Sequence, residues 1–591
     1  MQLTEKYTHD IVDRYRWLKL LIALLLLVVV ARLFWLQVLN GEKYYRLSLN
    51  YSLRNVLVPA PRGLILDRNG RVVADNRPAI DLVIIPQYVV DWEKVKYSLG
   101  ALLQIPSDVL DRVWDVRHGK PSYQPLTLLP DLSLDQVSVI RANKTPWYFL
   151  EDPYDLRGVE IHARAARYYK EGELVAHTLG YLKDSDTGEP MGANGLEAVY
   201  DKELRGVPGR RERIVNAYGH VVDYPDILAK LSNKAPVPGK TLQLTVDLRL
   251  QEAARRAFGN RSGAIVALDP KSGDVLAIYS SPGYNLSELT GVNRNRTWQS
   301  LSTDERHPLY NRSIQGAYPP GSTFKMVTAL AGLMEGVITP DETVTCHGGM
   351  EFGGRRFGCW NKGGHGAVSL TRAIAESCDV YFYTVGYRLG LDRLAKYAKM
   401  LGLGKKTGID LPHERAGNIP TEDWKQKRFG RDVMAGDVVS ASIGQGYDTV
   451  TPLQDALMVA RIVNGGVPIV PHIAKIATPN DPAPLPLNIE MLEQIRKGME
   501  AVVNSPSGTA HRLASLNLKI AGKTGTAQTV GYESKVQRGD HAWFVGYAPY
   551  DDPKIVAAAI VEYGGHGGTT AAPIVADVIK AYLQEEHHVT R

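Results

Sequence analysis

The sequence predicts an α+β protein: a single N-terminal transmembrane helix, an elongated α/β region, and a C-terminal domain in which an antiparallel sheet accompanies a helical subdomain. Three observations predict it. One long apolar run lies before residue 40. After about residue 240, strand patterns open and close the segment while helical periodicity fills its middle. The length, 591 residues, exceeds what one hydrophobic core ordinarily holds.

Residues 20–31 are apolar and uncharged, and 33–39 continue the run past Arg32. Residues 17–39 are long enough to span a bilayer if Lys19 snorkels and Arg32 lies near the far interface. Arg14, Arg16 and Lys19 precede the run, so residues 1–16 should stay cytoplasmic and everything after 39 should be exported. The alternative is a cleaved signal peptide, but Val29-Val30-Ala31 is a poor cleavage site and apolar residues continue beyond it.

Residues 40–240 read as mixed α/β. Pro59 and Pro61 lead into a hairpin, residues 64–66 and 72–74 around the turn Asp67-Arg68-Asn69-Gly70. Residues 194–209 read as a short helix ending in a Pro/Gly break, and Pro236 and Pro238 mark a boundary at 240. Beyond it the reading is a strand at 241–246, an amphipathic helix at 248–258, and a hairpin of 264–268 with 275–280. Helices then fill 322–402, strands return at 519–528, 541–547 and 554–562, and a last helix covers 573–583. The C-terminus should complete the sheet.

Hydrophobic residues make up 44% of the chain and charged ones 22%, ordinary for a folded protein. The net charge of +6 is modest, and no basic stripe interleaved with aromatics points to nucleic acid. Three cysteines are too few for a disulfide framework.

The chemistry begins at Gly321-Ser322-Thr323-Phe324-Lys325, directly after Tyr318-Pro319-Pro320. The prolines block helix before Gly321 and apolar helical periodicity follows it, so Ser322 should open a helix with Lys325 a turn later on the same face. A serine needs a base to become a nucleophile. An amine at the reference lysine pKa costs about 4.6 kcal/mol to keep neutral at pH 7, which burial and neighbouring cations would have to supply. S-x-x-K alone is weak, since an N-cap serine beside a surface lysine gives the same letters. Ser377-Cys378-Asp379 adds a second serine after a helical stretch, although Ser133-Leu134-Asp135 and Ser302-Thr303-Asp304 match the same pattern. Lys523-Thr524-Gly525-Thr526 follows a strand-like run. Gly525 in an edge strand lets a substrate backbone approach, and Thr524 and Thr526 offer hydroxyls to a carboxylate. Its rival, Lys406-Thr407-Gly408, reads as a plain turn.

The serial order S-x-x-K, S-x-[ND], K-[ST]-G resembles that of penicillin-binding proteins and serine β-lactamases. Arg62-Gly63 with Asp67-Arg68-Asn69-Gly70, Gly195-Leu196-Glu197, residues 311–325 and Ser442-Ile443-Gly444-Gln445-Gly446 resemble class B penicillin-binding proteins. Residues 415–429 resemble their elongation branch, penicillin-binding protein 2. Asp379 stands where most relatives carry asparagine. The resemblance implies a peptidoglycan D,D-transpeptidase in the bacterial inner membrane, with a periplasmic catalytic domain over 241–591 and a pedestal over 40–240. Ser322 would attack the penultimate D-alanine of a stem peptide, with Lys325 taking its proton. Ser377 and Asp379 would relay and orient protons, and Lys523 would hold Ser377 and raise the local positive potential. Thr524 and Thr526 would bind the donor carboxylate, and the backbone N–H groups of Ser322 and Thr526 would form an oxyanion hole. β-Lactams would acylate the same serine. A glycan polymerase of the SEDS family and other elongation proteins are the implied partners.

Cys346, Cys359, His365 and Cys378 crowd one stretch. If Ser377 and Asp379 face the cleft, Cys378 faces the preceding loop, and three thiolates with one imidazole suit a structural zinc ion. A Cys346–Cys359 disulfide and three inert buried thiols are the alternatives. Other functions compete as well: a β-lactam sensor or scaffold without turnover, and a β-lactamase or D,D-carboxypeptidase. An anchor and some 200 residues before the catalytic segment argue against a β-lactamase, and a single span against a sensor. Glu151-Asp152-Pro153-Tyr154 resembles a glycosyltransferase motif only superficially.

Overall fold

The computed structural model describes residues 2–44, 53–144, 154–184, 190–214, 233–290, 294–352, 354–475, 483–528 and 539–589. Residues 151–153 of the superficial glycosyltransferase match lie outside them.

Helix α1 (Gln2–Phe34) runs into a π-helical turn, Trp35–Leu39. The stretch Arg14–Leu39 is apolar and wholly unburied. At 1.5 Å per residue it reaches about 39 Å, more than the hydrocarbon core of a bilayer. The Arg32 guanidinium, which follows the uncharged residues 20–31, lies 4.4 Å over the Trp35 ring, which shields it.

Strand β1 (Leu53–Val58) pairs with Gly209–Ile214 in a small sheet. The expected hairpin forms between β2 (Ile65–Leu66) and β3 (Val72–Ile84). β3 then pairs along its length with β4 (Val159–Tyr169), from Ala74↔Tyr169 to Ile84↔Val159. This ribbon spans about 40 Å and joins two cores. Its far end enters a small core of Leu82, Ile84, Leu99, Leu110, Ile140 and Val159. Its near end, with Val73, Ala74 and Tyr169, enters the main core.

Three details differ from the sequence reading. Residues 194–209 hold two helices, α2 (Gly195–Val199) and α3 (Asp201–Arg205). Of the strand read at 241–246 only β5 (Leu242–Gln243) forms, and it pairs in parallel with β2. Asp247 ends that segment by capping α4 (Leu248–Phe258) through Arg249 N. The helical middle is also interrupted by two small sheets between 344 and 368, where glycines break the periodicity.

The C-terminal sheet forms as expected. β6 (Gly263–Leu268) and β7 (Val275–Ser281) make the hairpin, and β8 (Ala521–Ala527), β9 (His541–Ala548) and β10 (Ile555–Val561) complete the order β7–β6–β10–β9–β8, antiparallel throughout. Every residue of β6 and β10 is buried, because α4 and the last helix cover one face and Pro452–Val463 the other. That explains their unbroken apolar sequences. The last helix spans Gly567–Val589, so Pro573 lies inside it. A proline in the second turn forfeits one helical bond, to Thr569.

The rival motifs resolve into local structure. Ser133 caps Leu134–Ala142 in a capping box with Gln136. Ser302 and Thr303 end the helix Arg294–Thr303 on the surface. Thr407 Oγ1 and N both donate to Glu414, closing a turn.

Ile560, fully buried in β10 between two neighbouring strands, tests the sheet. Ile560→Ala should cost about 2–5 kcal/mol, seen as a lower denaturation midpoint of the full chain.

Candidate active site

Gly321–Phe324 forms one 3-10 turn, and helix α5 (Lys325–Met334) follows directly. Gly321 has φ +55°, and a Cβ there would sit 2.7 Å from Thr526 O. Only glycine lets this turn press against β8. Ser322 remains partly exposed, while Gly321, Thr323, Phe324 and Lys325 are buried.

Lys325 is 0% exposed. Its Nζ donates to Ser377 O at 2.9 Å, Ser377 Oγ at 3.1 Å and Asp379 Oδ1 at 2.7 Å. Lys523, equally buried, points its Nζ at the same hydroxyl, 2.8 Å from Ser377 Oγ and 3.0 Å from Thr524 O. The Ser377 hydroxyl therefore bridges two lysines. Ser377 holds φ +53°, a left-handed conformation that a serine rarely adopts. It turns the chain from Leu370–Ala375 into helix α6 (Asp379–Leu389).

Burial, helped by the charge of Lys325 and opposed by Asp379, pushes the pKa of Lys523 well below the usual lysine value.

Strand β8 is the sheet's edge, as a substrate-binding strand requires. Thr526 O accepts from Gln445 Nε2 at 3.2 Å, so the carbonyl of Thr526, and by strand geometry its amide, face away from β9. A Cβ on Gly525 would meet Trp543 Cβ at 2.9 Å and Pro320 O at 3.0 Å, so this glycine lets strand and turn close up. Thr524 Oγ1 lies 2.7 Å from Thr509 Oγ1 and is nearly buried.

Sequence reasoning missed Trp360. Its backbone N donates to Asp379 Oδ2 at 2.9 Å, and its indole Nε1 to Glu376 O and Ser377 O. The only sequence signal was adjacency to Cys359. Thr509 had no signal of its own, and the segment holding Gln445 was marked only by resemblance, with nothing to indicate its bond to Thr526.

Behind this loop, Cys346, Cys359, His365 and Cys378 are all buried, and their ligand atoms lie within 4.8 Å of one another. A tetrahedron built on metal–sulfur bonds of about 2.3 Å has an edge of about 3.8 Å, so the four ligand atoms need draw together by no more than about 1 Å to close on one ion. All three cysteines are free thiols. His365 Nδ1 lies 3.6 Å from Cys359 Sγ, and His365 Nε2 is buried without a partner. A hydrogen bond from Cys378 lowers the Cys359 thiol and raises that of Cys378. The donor set fits a metal ion held by four protein ligands.

Residues 263–580 match the penicillin binding protein transpeptidase domain, and residues 57–244 the penicillin-binding protein dimerisation domain. The chain belongs to the penicillin-binding protein family. It is 35% identical to the peptidoglycan D,D-transpeptidase MrdA of Haemophilus influenzae, over 95% of this chain and 90% of that one. Among solved structures it is similar to PBP2 of Helicobacter pylori in its complex with MreC, at 29% identity and TM-score 0.78 over 90% of this chain and 100% of that one. A peptidoglycan synthase complex that coordinates polymerisation and crosslinking contains a chain 31% identical, at TM-score 0.69, over 96% of this chain and 98% of that one.

The lowered Lys523 pKa gives this penicillin-binding protein a pH signature. Between its folded value and the ordinary lysine value, the unfolded chain binds the proton and the folded one does not. This residue's contribution to stability therefore rises with pH across that interval. Lys523→Met should flatten the rise, read as denaturation midpoints compared from neutral pH to about 10.

Proposed function

We propose that the crevice carries out D,D-transpeptidation of peptidoglycan, with Ser322 as the acylated nucleophile. The observation that carries this reading is the Ser377 hydroxyl, held between Lys325 Nζ and Lys523 Nζ beside the Ser322 turn. Lys325 Nζ spends three donors on Ser377 and Asp379, the pattern of an ammonium. To act as a base it must first lose a proton. Ser377 Oγ takes that proton as its own passes to Lys523 Nζ, which leaves Lys325 neutral and Lys523 charged. The Lys325 lone pair then removes the Ser322 proton as Oγ attacks the penultimate D-alanine carbonyl of a stem peptide. The amides of Ser322 and Thr526 hold the developing oxyanion. The relay returns a proton to the departing D-alanine, and the amine of a second strand resolves the acyl-enzyme. Asp379 keeps Lys325 in place, and Thr524, Gly525 and Thr526 line the donor's binding strand.

The protein is anchored by residues 17–39 with residues 1–16 cytoplasmic, and residues 40–240 raise the transpeptidase domain, 241–591, in the periplasm. Its partners are elongation proteins, among them a SEDS-family glycan polymerase. The similarity to PBP2 bound to MreC and to a chain of a peptidoglycan synthase complex supports that assignment.

Labelled penicillin tests the nucleophile. The wild-type chain should be labelled covalently and Ser322→Ala should not, and label persisting on the variant would refute the assignment. Release of D-alanine on cross-linking by the wild type separates a transpeptidase from a sensor.

Cys346, Cys359, His365 and Cys378 would hold a structural zinc ion that clamps the loop presenting Ser377 from behind. Elemental analysis should find about one zinc per chain, lost in Cys346→Ser. Metal removal should slow acylation by penicillin about 10-fold without altering Ser322, the scale on which contacts behind a metal site act. A metal-free, fully active preparation would end this reading.

A further inference from the structure

Far along the sequence from the crevice residues, three guanidinium groups meet around one cavity. Arg62, Arg167 on β4 and Arg205 at the end of α3 line a space of about 60 Å³, together with Asn76, Ala165 and Leu182. Arg62 is 7% exposed and Arg167 5%. Among the described residues, the arginines face two carboxylates. Glu197 accepts from Arg62 Nε at 2.5 Å and from Arg167 Nε at 2.7 Å. Asp201 pairs with Arg62 Nη1 at 2.9 Å and with Arg205. Arg62 Nη2 donates to Glu197 O at 2.9 Å and Arg167 Nη1 to Gly63 O at 2.7 Å. Among the described residues, Arg167 Nη2 and Arg205 Nε, both buried, have no hydrogen-bond partner, and Arg62 Nη1 touches Asp201 without hydrogen-bond geometry.

Guanidinium groups cannot shed their protons in a protein, so among the described residues three positive charges, Arg62 and Arg167 buried and Arg205 part-exposed, stand against two negative ones. Water fits the cavity and could take up the free N–H groups, but it leaves the surplus charge uncompensated. An oxyanion does both, and arginine's planar donors match its geometry.

We infer that this cavity is an anion site that takes a small oxyanion, a phosphate or a carboxylate group, on Arg167 Nη2 and Arg205 Nε. The inference is independent of the transpeptidase reading.

Calorimetric titration of the full chain in detergent with inorganic phosphate, and separately with acetate, tests it against chloride at equal ionic strength. Saturable one-to-one binding of phosphate or acetate is expected, and the tighter ion identifies the group. Arg205→Gln, at a half-exposed position, should weaken it at least 10-fold. Ala165→Leu, which narrows the cavity without changing charge, should weaken it similarly. Unchanged far-UV circular dichroism and denaturation midpoints of both variants verify that they are folded. No saturable binding by the wild type, or binding unchanged in both variants, overturns the site.

Discussion

One hydroxyl organises the crevice. Ser377 Oγ lies within hydrogen-bonding distance of two buried lysines, one 52 residues before it and one 146 after. Two ammonium groups so close together in a dry interior repel each other, and each also pays for burial. The arrangement is tolerable when they share protons unequally, which is what their surroundings impose. Lys325 has a carboxylate partner in Asp379, whereas Lys523 has only a hydroxyl and a carbonyl. The asymmetry favours the proton on Lys325 at rest, so its passage toward Lys523 is an uphill step that the attack of Ser322 must draw forward.

Asp379 is what makes the asymmetry rigid. Its two oxygens face different donors, Oδ1 the Lys325 ammonium and Oδ2 the backbone N–H of Trp360. A carboxylate can accept at both ends. An asparagine would accept at one and turn an NH₂ group toward the other donor. The aspartate therefore ties the lysine to the loop that carries Cys359, and Cys378, next to Asp379 in sequence, returns to the same cluster. The Cys/His cluster and the proton relay are two sides of one short segment, strained at Ser377.

The sequence made much of this legible where the chemistry is local. The proline-to-helix switch at Pro320 places Ser322, apolar strands placed the sheet, and the alternation within Ser377-Cys378-Asp379 sent the cysteine away from its neighbours. The contacts that were not legible join distant segments through the backbone. Trp360 acts on Asp379 through its amide, and Gln445 on Thr526 through its carbonyl, and a backbone group leaves no residue-type signal. The strand read at 241–246 shrank for the same reason. Its pattern was right for an extended segment, but Thr245 donates its N–H to Ile473 O and its hydroxyl to carbonyls including Val275 O, so the chain is extended without continuing the ladder.

The root of the long ribbon bears on how force or binding at its far end could reach the sheet. Ile65, Val73 and Tyr169 are packed into the same core as β6 and β10, and Glu197, fully buried, bonds Arg62 and Arg167 across that root. Breaking one member of a buried ion network leaves its partners charged and unsatisfied, which makes the joint costly to deform. The ribbon is long enough to act as a lever, whereas its base is held by apolar packing and by charge together. β5 pairs with β2 at that root and leads within a few residues to α4, which lies against β7, so the base of the ribbon and the catalytic sheet are joined both by packing and by the chain itself.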